Sequence, residues 1–262
     1  MATEIIAICN QKGGVGKTTT AVNLGAYLAA FGRKTLIVDF DPQANATLGL
    51  GFDHKKISKN IYHCLLGFCF PDEIILKTSL FGLEICPTSP DLIGAQVELG
   101  SFSNKEERLS QVLSGVLSRY HYILIDLPPS LGLLTINGLV AANRVLIPLQ
   151  TEYYALEGLG QLVTTIDLIR RNLGKDLKIL GAVLTLYDRR NKLDRLVLKH
   201  ICRNFPGYVF EAIIPRNVAL AEAPSFGKTI LEYNPHSEGA RAYRQLAQEI
   251  IRRLETRNPP VL

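Results

Sequence analysis

The sequence predicts an α/β fold: a doubly wound, mostly parallel sheet with helices on both faces. Three observations predict it. Apolar runs of strand length alternate with helix-like segments along the chain. Several of these runs are rich in Val and Ile and are apolar throughout, which suits parallel strands buried on both faces. The first run passes through a glycine-rich loop directly into a helical stretch, the strand–loop–helix context of a phosphate-binding loop.

The elements follow in order. Ile5–Cys9 reads as the first strand, residues 10–16 as the loop, and Thr18–Phe31 as the first helix. Thr35–Asp39 is the second strand. Residues 51–104 carry the weakest pattern and are expected to form short helices and loops on one edge, around a strand at Leu83–Pro87. Lys105–Arg119 reads as helix, then Tyr122–Leu127 and Arg144–Leu149 as strands, Leu156–Asn172 as helix, Ile179–Leu186 as strand, Lys192–Asn204 as helix and Ala212–Pro215 as strand. Right-handed crossovers between parallel strands put the helices on both faces. The last helix starts at Ser237, a favourable N-cap, and Leu246, Ala247, Ile250, Ile251 and Leu254 form its apolar face. No Pro-, Gly- or Ser-rich linker and no repeat divides the chain, so residues 1–256 are expected to be one domain with a short tail, 257–262, that Pro259 and Pro260 keep from continuing the helix.

Composition sets the class. The chain has 262 residues, 47% hydrophobic and 20% charged, enough to build a sizeable core. No apolar run reaches bilayer length, and the N-terminus does not read as a signal peptide. Five cysteines with no CxxC pair suggest a reducing, cytoplasmic setting, with Cys9, Cys64, Cys69, Cys86 and Cys202 expected to be small buried hydrophobes. The net charge of +5 is unevenly spread. From Arg170 to Arg203 ten Lys/Arg face three Asp, a surplus of seven, which leaves the remainder of the chain at −2.

Residues 10–19 read Asn-Gln-Lys-Gly-Gly-Val-Gly-Lys-Thr-Thr. Gly13, Gly14 and Gly16 let the backbone turn tightly and bring the N–H groups around Val15 to phosphate oxygens. The helix N-terminus beside Lys17, Thr18 and Thr19 adds partial positive charge. Lys17 can reach the β- and γ-phosphates, and the Thr18 hydroxyl can ligate Mg²⁺. The ordinary pattern would place glycine at position 11, where Gln11 stands, and a second lysine, Lys12, precedes the glycine pair.

The form Lys-Gly-Gly-x-Gly-Lys-Thr resembles the deviant Walker A motif of the P-loop NTPase family that includes ParA, MinD, the nitrogenase iron protein and the arsenite-pump ATPase. The resemblance implies ATP and Mg²⁺ as ligands and an ATP sandwich homodimer, with Lys12 reaching across to the partner's nucleotide. Leu36–Gln43 puts Asp39 and Asp41 at a strand's C-terminal end, where ligands of open α/β sheets gather. It resembles the family's D-x-D-P-Q switch segment, which implies that Asp41 positions the attacking water and that Asp39 holds the signature lysine or a Mg²⁺-bound water. Ile123–Ser130 resembles a Walker B strand, with Asp126 holding a water on Mg²⁺. Residues 130–137 resemble switch II of the ParA/Soj group.

Three further stretches narrow the resemblance to chromosomal ParA/Soj partition ATPases: 152–158, 214–218 (Ile-Pro-Arg-Asn-Val) and 222–228 (Glu-Ala-Pro-Ser-Phe-Gly-Lys). That likeness implies adenine contact at Pro215 and Asn217, slow hydrolysis stimulated by a ParB-like centromere-binding protein, nucleoid association in the ATP state, and non-specific binding to double-stranded DNA. Arg189, Arg190, Lys192, Arg195 and Lys199 suit phosphate contacts that read no sequence. Ala219 departs from the pattern, since relatives commonly carry a basic residue there. Arg216, Lys228 and Arg241 are possible substitutes.

Three other readings compete. A MinD-like membrane switch needs a terminal amphipathic helix, and the last helix instead has a face of core type. An ATP-using metabolic enzyme would show a substrate motif, and none stands out. An iron–sulfur carrier needs paired cysteines in suitable contexts, which Cys86 and Cys202 lack.

Overall fold

In a computed structural model, residues 3–152 and 159–255 are described. Eight strands among these residues form one sheet: β1 (Glu4–Ile8), β2 (Thr35–Asp39), β3 (Leu76–Lys77), β4 (Leu83–Cys86), β5 (Tyr122–Asp126), β6 (Arg144–Gln150), β7 (Lys178–Tyr187) and β8 (Val209–Pro215). Their order is β3-β4-β2-β5-β1-β6-β7-β8, and every pairing is parallel except β3 with β4. The helices are α1 (Lys17–Ala30), α2 (Asn45–Gly49), α3 (Ile61–Leu66), α4 (Leu92–Glu98), α5 (Arg108–Ser114), α6 (Leu133–Ala141), α7 (Leu159–Leu173), α8 (Lys192–Asn204), α9 (Val218–Glu222), α10 (Ile230–Tyr233) and α11 (Glu238–Glu255).

The sheet is doubly wound, and the apolar runs explain why. Along β1, Ile5, Ala7 and Cys9 enter one core layer while Ile6 and Ile8 enter the other. A strand that feeds two cores cannot alternate apolar with polar. Leu109 and Leu113 of α5, Leu134 of α6, Ile166 of α7 and Ile201 of α8 complete the first layer. Leu24 and Leu28 of α1 and Tyr243, Leu246 and Ile250 of α11 complete the second. Each such side chain taken from water contributes roughly 1.5–3 kcal/mol.

Some expectations shift at their boundaries. The helix expected at 105–119 is shorter, because Gly115 follows α5 and a separate 3-10 turn covers Leu117–Arg119. The weakly patterned 51–104 region contains β3, which two residues could not announce by periodicity. Ser237 does cap α11: its hydroxyl accepts the Ala240 N–H at 3.1 Å. Two cysteines depart from burial, since Cys69 is half-buried and Cys202 is exposed on α8. The expected start of α7 at Leu156, the Tyr153–Gly158 part of the family-like stretch and the 257–262 tail lie outside the described residues. No helix among the described residues is long and apolar enough to cross a membrane.

The edge strand β8 is held by one buried carboxylate. Glu249 of α11 accepts the Tyr208 hydroxyl at 2.6 Å and the Glu211 and Ala212 N–H groups at 3.0 and 3.2 Å. Arg253, one turn on, lies 3.5 Å over the Tyr208 ring. Backbone donors that a further strand would otherwise pair are thereby satisfied.

Candidate functional site

The loop after β1 is braced from two sides. The Asn10 amide donates to the Pro148 carbonyl at 2.7 Å, and its Oδ1 accepts the Lys12 N–H at 3.0 Å. The Thr185 hydroxyl at the end of β7 donates to the Val15 carbonyl at 2.8 Å. Gly14 (φ +74°) and Gly16 (φ +83°) are left-handed, a conformation that costs little only for glycine. No side chain caps α1 after Gly16, so its first N–H groups are open to an anion. Gly13 and Gly14 face open space, which leaves room over the loop.

Lys17 is buried and its ammonium donates to the Lys12 carbonyl at 3.2 Å. Burial lowers its pKa, and Asp126, Cys9 and Asp41 oppose that shift. Lys12 is exposed and ion-paired with Glu152 beyond the end of β6. Thr18 and Thr19 are half-buried beside the loop.

The three carboxylates converge. Asp39 and Asp126 end neighbouring strands and are direct register partners, while Asp126 also pairs with Ile8, just before the loop. Both are fully buried, and Asp41 is nearly so. Asp39 Oδ2 accepts the N–H and the hydroxyl of Thr47, each at 2.7 Å, and burial still pushes its pKa up to about 6. Asp41 Oδ1 accepts the Gln43 N–H at 3.0 Å. Between them and α2, Ala44 holds a left-handed φ of +54°, an uncommon conformation for a residue with a Cβ.

Asp126 differs from its neighbours. Neither of its buried oxygens has a hydrogen-bond partner among the described residues. Burial raises its pKa well above the usual value and Asp39 adds to this, while Lys17 and the nearby Thr18 hydroxyl, close to Asp126 but short of hydrogen-bond geometry, oppose it. A buried, unpartnered carboxylate beside a threonine hydroxyl is a hard oxygen donor set of the kind Mg²⁺ takes.

Pro215 and Asn217 come to the same edge. With Gly16, Thr19, Thr185 and Leu186 they line a cavity of about 120 Å³. The Asn217 side chain also caps α9, accepting the Leu220 N–H at 3.2 Å. A larger depression of about 410 Å³ shares Thr19 with this cavity and is lined also by Thr18, Asn23, Pro224, Ser225 and Lys228. Thr47, Thr185 and Glu152 were not singled out in the sequence as site residues. Thr185 and Glu152 are far in the chain from the residues they hold, and Thr47, eight residues after Asp39, stands in a short helix whose start no local pattern marks.

The basic residues form two connected groups. Arg189, Arg190 and Arg216 line one depression of about 330 Å³ with Tyr187, Asp188 and Glu238. The Arg216 N–H donates to the Tyr187 carbonyl at 3.0 Å, which ties the β8 end to the β7 end. Arg190 pairs with Asp188 at 2.8 Å, and this holds the Asp188 carboxyl down at about 2. Lys192, Arg195 and Lys199 are exposed and share one side of α8, while Val197 and Ile201 face the core. Lys228 and Arg241 are also exposed.

A family model described as an AAA domain matches residues 3–179. The chromosome partitioning protein ParA of Myxococcus xanthus is 50% identical over 256 residues, 98% of this chain and 90% of that protein. The sporulation initiation inhibitor protein Soj of Bacillus subtilis is 49% identical over 247 residues, 94% of this chain and 98% of that protein. Among solved structures, cobyrinic acid a,c-diamide synthase from Mycobacterium smegmatis with bound ADP and magnesium superposes with a TM-score of 0.86 at 36% identity, covering 98% of this chain and 97% of that one.

Proposed function

The chain belongs to the ParA/Soj family of chromosome-partitioning ATPases, and from that premise we propose that it is an ATP-driven switch that holds DNA as an ATP-bound dimer and releases it on hydrolysis. One observation carries the nucleotide half of this reading. The orphaned carboxylate of Asp126 lies in register with the end of β1, beside the uncapped helix start at Lys17.

In this reading the N–H groups from Gly13 to Thr19 and the Lys17 ammonium receive the ATP phosphates. Thr18 and Asp126 hold Mg²⁺, with Asp39 behind them, the carboxylates acting through water. The ion, when bound, draws negative charge from the phosphate oxygens. Asp41 orients the attacking water, and Pro215 and Asn217 flank the adenine. Lys12 leaves Glu152 to reach the partner's nucleotide. Turnover is slow because a lone carboxylate places the water until a ParB-like protein completes the site.

The DNA half rests on the basic surface. Arg189, Arg190, Lys192, Arg195, Lys199 and Arg216 are all exposed, and none belongs to the phosphate loop. Such a surface binds phosphates without reading bases. The MinD-like alternative would use the apolar face of the last helix, but Leu246, Ala247 and Ile250 of α11 are in the core.

The test is co-sedimentation with non-specific duplex at low salt, with no nucleotide, with ADP and with ATP. Binding that needs ATP, persists in Asp41→Ala and falls in Arg190→Glu supports the switch. No ATP-dependent binding by any protein would remove the DNA half and leave the ATPase.

A further inference from the structure

Cys64 and Cys69 are placed for chemistry that the nucleotide site does not use. Their sulfurs are 3.2 Å apart. The backbone accounts for this contact. Gly67 ends α3 in the left-handed conformation (φ +84°), the Gly67 N–H bonds to the Cys64 carbonyl at 3.1 Å, and the Phe68 N–H bonds to the His63 carbonyl at 2.9 Å. This Schellman-type closure turns the chain back on the helix and lays Cys69 against Cys64. Glu73 fixes the far side of the loop, accepting the Phe70 N–H at 2.8 Å and the Lys59 ammonium at 2.6 Å.

The two thiols are unequal. Cys64 is buried, and burial raises its pKa. Cys69 is half-buried, on a loop whose Phe68 and Phe70 are largely exposed. Cys9 and Cys86 are buried, and Cys202 is exposed on α8.

We propose that Cys64 and Cys69 are a modification site: under a peroxide they close into an intramolecular disulfide that clamps the loop bearing Phe68 and Phe70 onto α3. The Cys69 sulfur, the less buried of the two, attacks one peroxide oxygen as a thiolate, the O–O bond breaks, and a sulfenic acid forms with release of one water. The Cys64 sulfur then attacks the Cys69 sulfur, the S–O bond breaks, and the second water leaves with the remaining thiol proton. Two thiols lose one electron each, and one peroxide gains two. A thiol reductant reverses the step.

The experiment uses the full chain with graded hydrogen peroxide, as wild type, Cys69→Ser and Cys202→Ser. Wild type and Cys202→Ser are expected to lose the mass of two hydrogen atoms, in a peptide containing both cysteines. Titratable thiols of denatured wild type should fall from five to three. Cys69→Ser should keep its mass under the same exposure. Chymotrypsin gives a second readout. Cleavage after Phe68 should slow on oxidation and recover on reduction, while cleavage after Phe81, 98% exposed on another turn, is unchanged. Phe70 precedes Pro71 and is a poor site. Added oxygen on Cys69 without loss of two hydrogens, or disulfide found only between chains through Cys202, would overturn the proposal.

Discussion

The Asp39 carboxylate spends one oxygen on a single residue: Thr47 donates both its N–H and its hydroxyl to Oδ2, each at 2.7 Å. The Thr47 hydroxyl in turn accepts the Thr88 N–H at 3.2 Å. Asp39 is thus a brace between β2, α2 and the segment after β4. The same burial that makes it a brace makes its charge costly.

That cost has a pH signature. The folded-state pKa, about 6, lies above the ordinary 3.8, so between these values the native chain keeps a proton that the unfolded chain has released. The penalty is absent below the lower value, grows through the window and is complete above the upper one. Asp39→Asn is expected to stabilise the metal- and nucleotide-free protein relative to wild type by on the order of 1–3 kcal/mol at neutral pH, with the gap closing toward about pH 4. Denaturant unfolding of both proteins across this range checks it, and a gap that stays constant would count against the assignment.

Asp126 carries the sharper trade-off, because its oxygens have no hydrogen-bond partner among the described residues. Asp126→Asn removes an ionisable group that burial disfavours, while keeping the shape. The metal-free protein should gain roughly 1–3 kcal/mol, and Mg²⁺ should no longer tighten ATP binding. Calorimetry and nucleotide titration with and without Mg²⁺ read the two effects separately. A variant that is less stable and still responds to Mg²⁺ would refute the metal role.

Lys12 is tied to Glu152 in this structure, and both side chains are about half exposed, 44% and 48%. An exposed pair contributes about 0–1 kcal/mol, so the tie is weak enough to exchange for a phosphate in the proposed dimer. Glu152→Gln should leave ATP affinity of the monomer unchanged and lower the ATP concentration for dimerisation by no more than about fivefold. Lys12→Ala should bind ATP and stay monomeric. Sedimentation velocity with ATP distinguishes these outcomes.

Glu249 tests the support rather than the chemistry. Its removal leaves the Tyr208 hydroxyl and the Glu211 and Ala212 N–H groups without their acceptor. Glu249→Ala should cost about 2–4 kcal/mol, and Glu249→Gln less, because the amide oxygen still accepts. Thermal unfolding measures both, and a loss below about 1 kcal/mol for the alanine variant would show that water replaces the carboxylate.

Much of the site was legible in the chain. The glycine loop could be read because its glycines, lysines and threonine are contiguous, and local spacing carries their geometry. Asp39 and Asp126 could be read because each closes an apolar run, and parallel strands bring such ends to one edge. Glu249 could not, since a glutamate on a predicted helix looks like a solvent-facing one. Cys64 is the buried hydrophobe that the sequence predicts, but its contact with the half-buried Cys69 is not legible, because a left-handed turn at Gly67 cannot be read as a contact between sulfurs.

The sequence by itself determined the strand–helix alternation, the phosphate loop and the carboxylates that face it. These depend on period, spacing and chain order, which are local. Tertiary structure alone decided that Thr47 engages Asp39, that Thr185 braces Val15, that Asp126 is left without a partner and that Lys12 rests on Glu152. Thr185 and Val15, and Lys12 and Glu152, meet through packing between segments distant in the chain. Thr47 reaches Asp39 across only eight residues, but through a turn at Ala44 that spacing does not announce. The energy of a buried polar group depends on what the fold places around it.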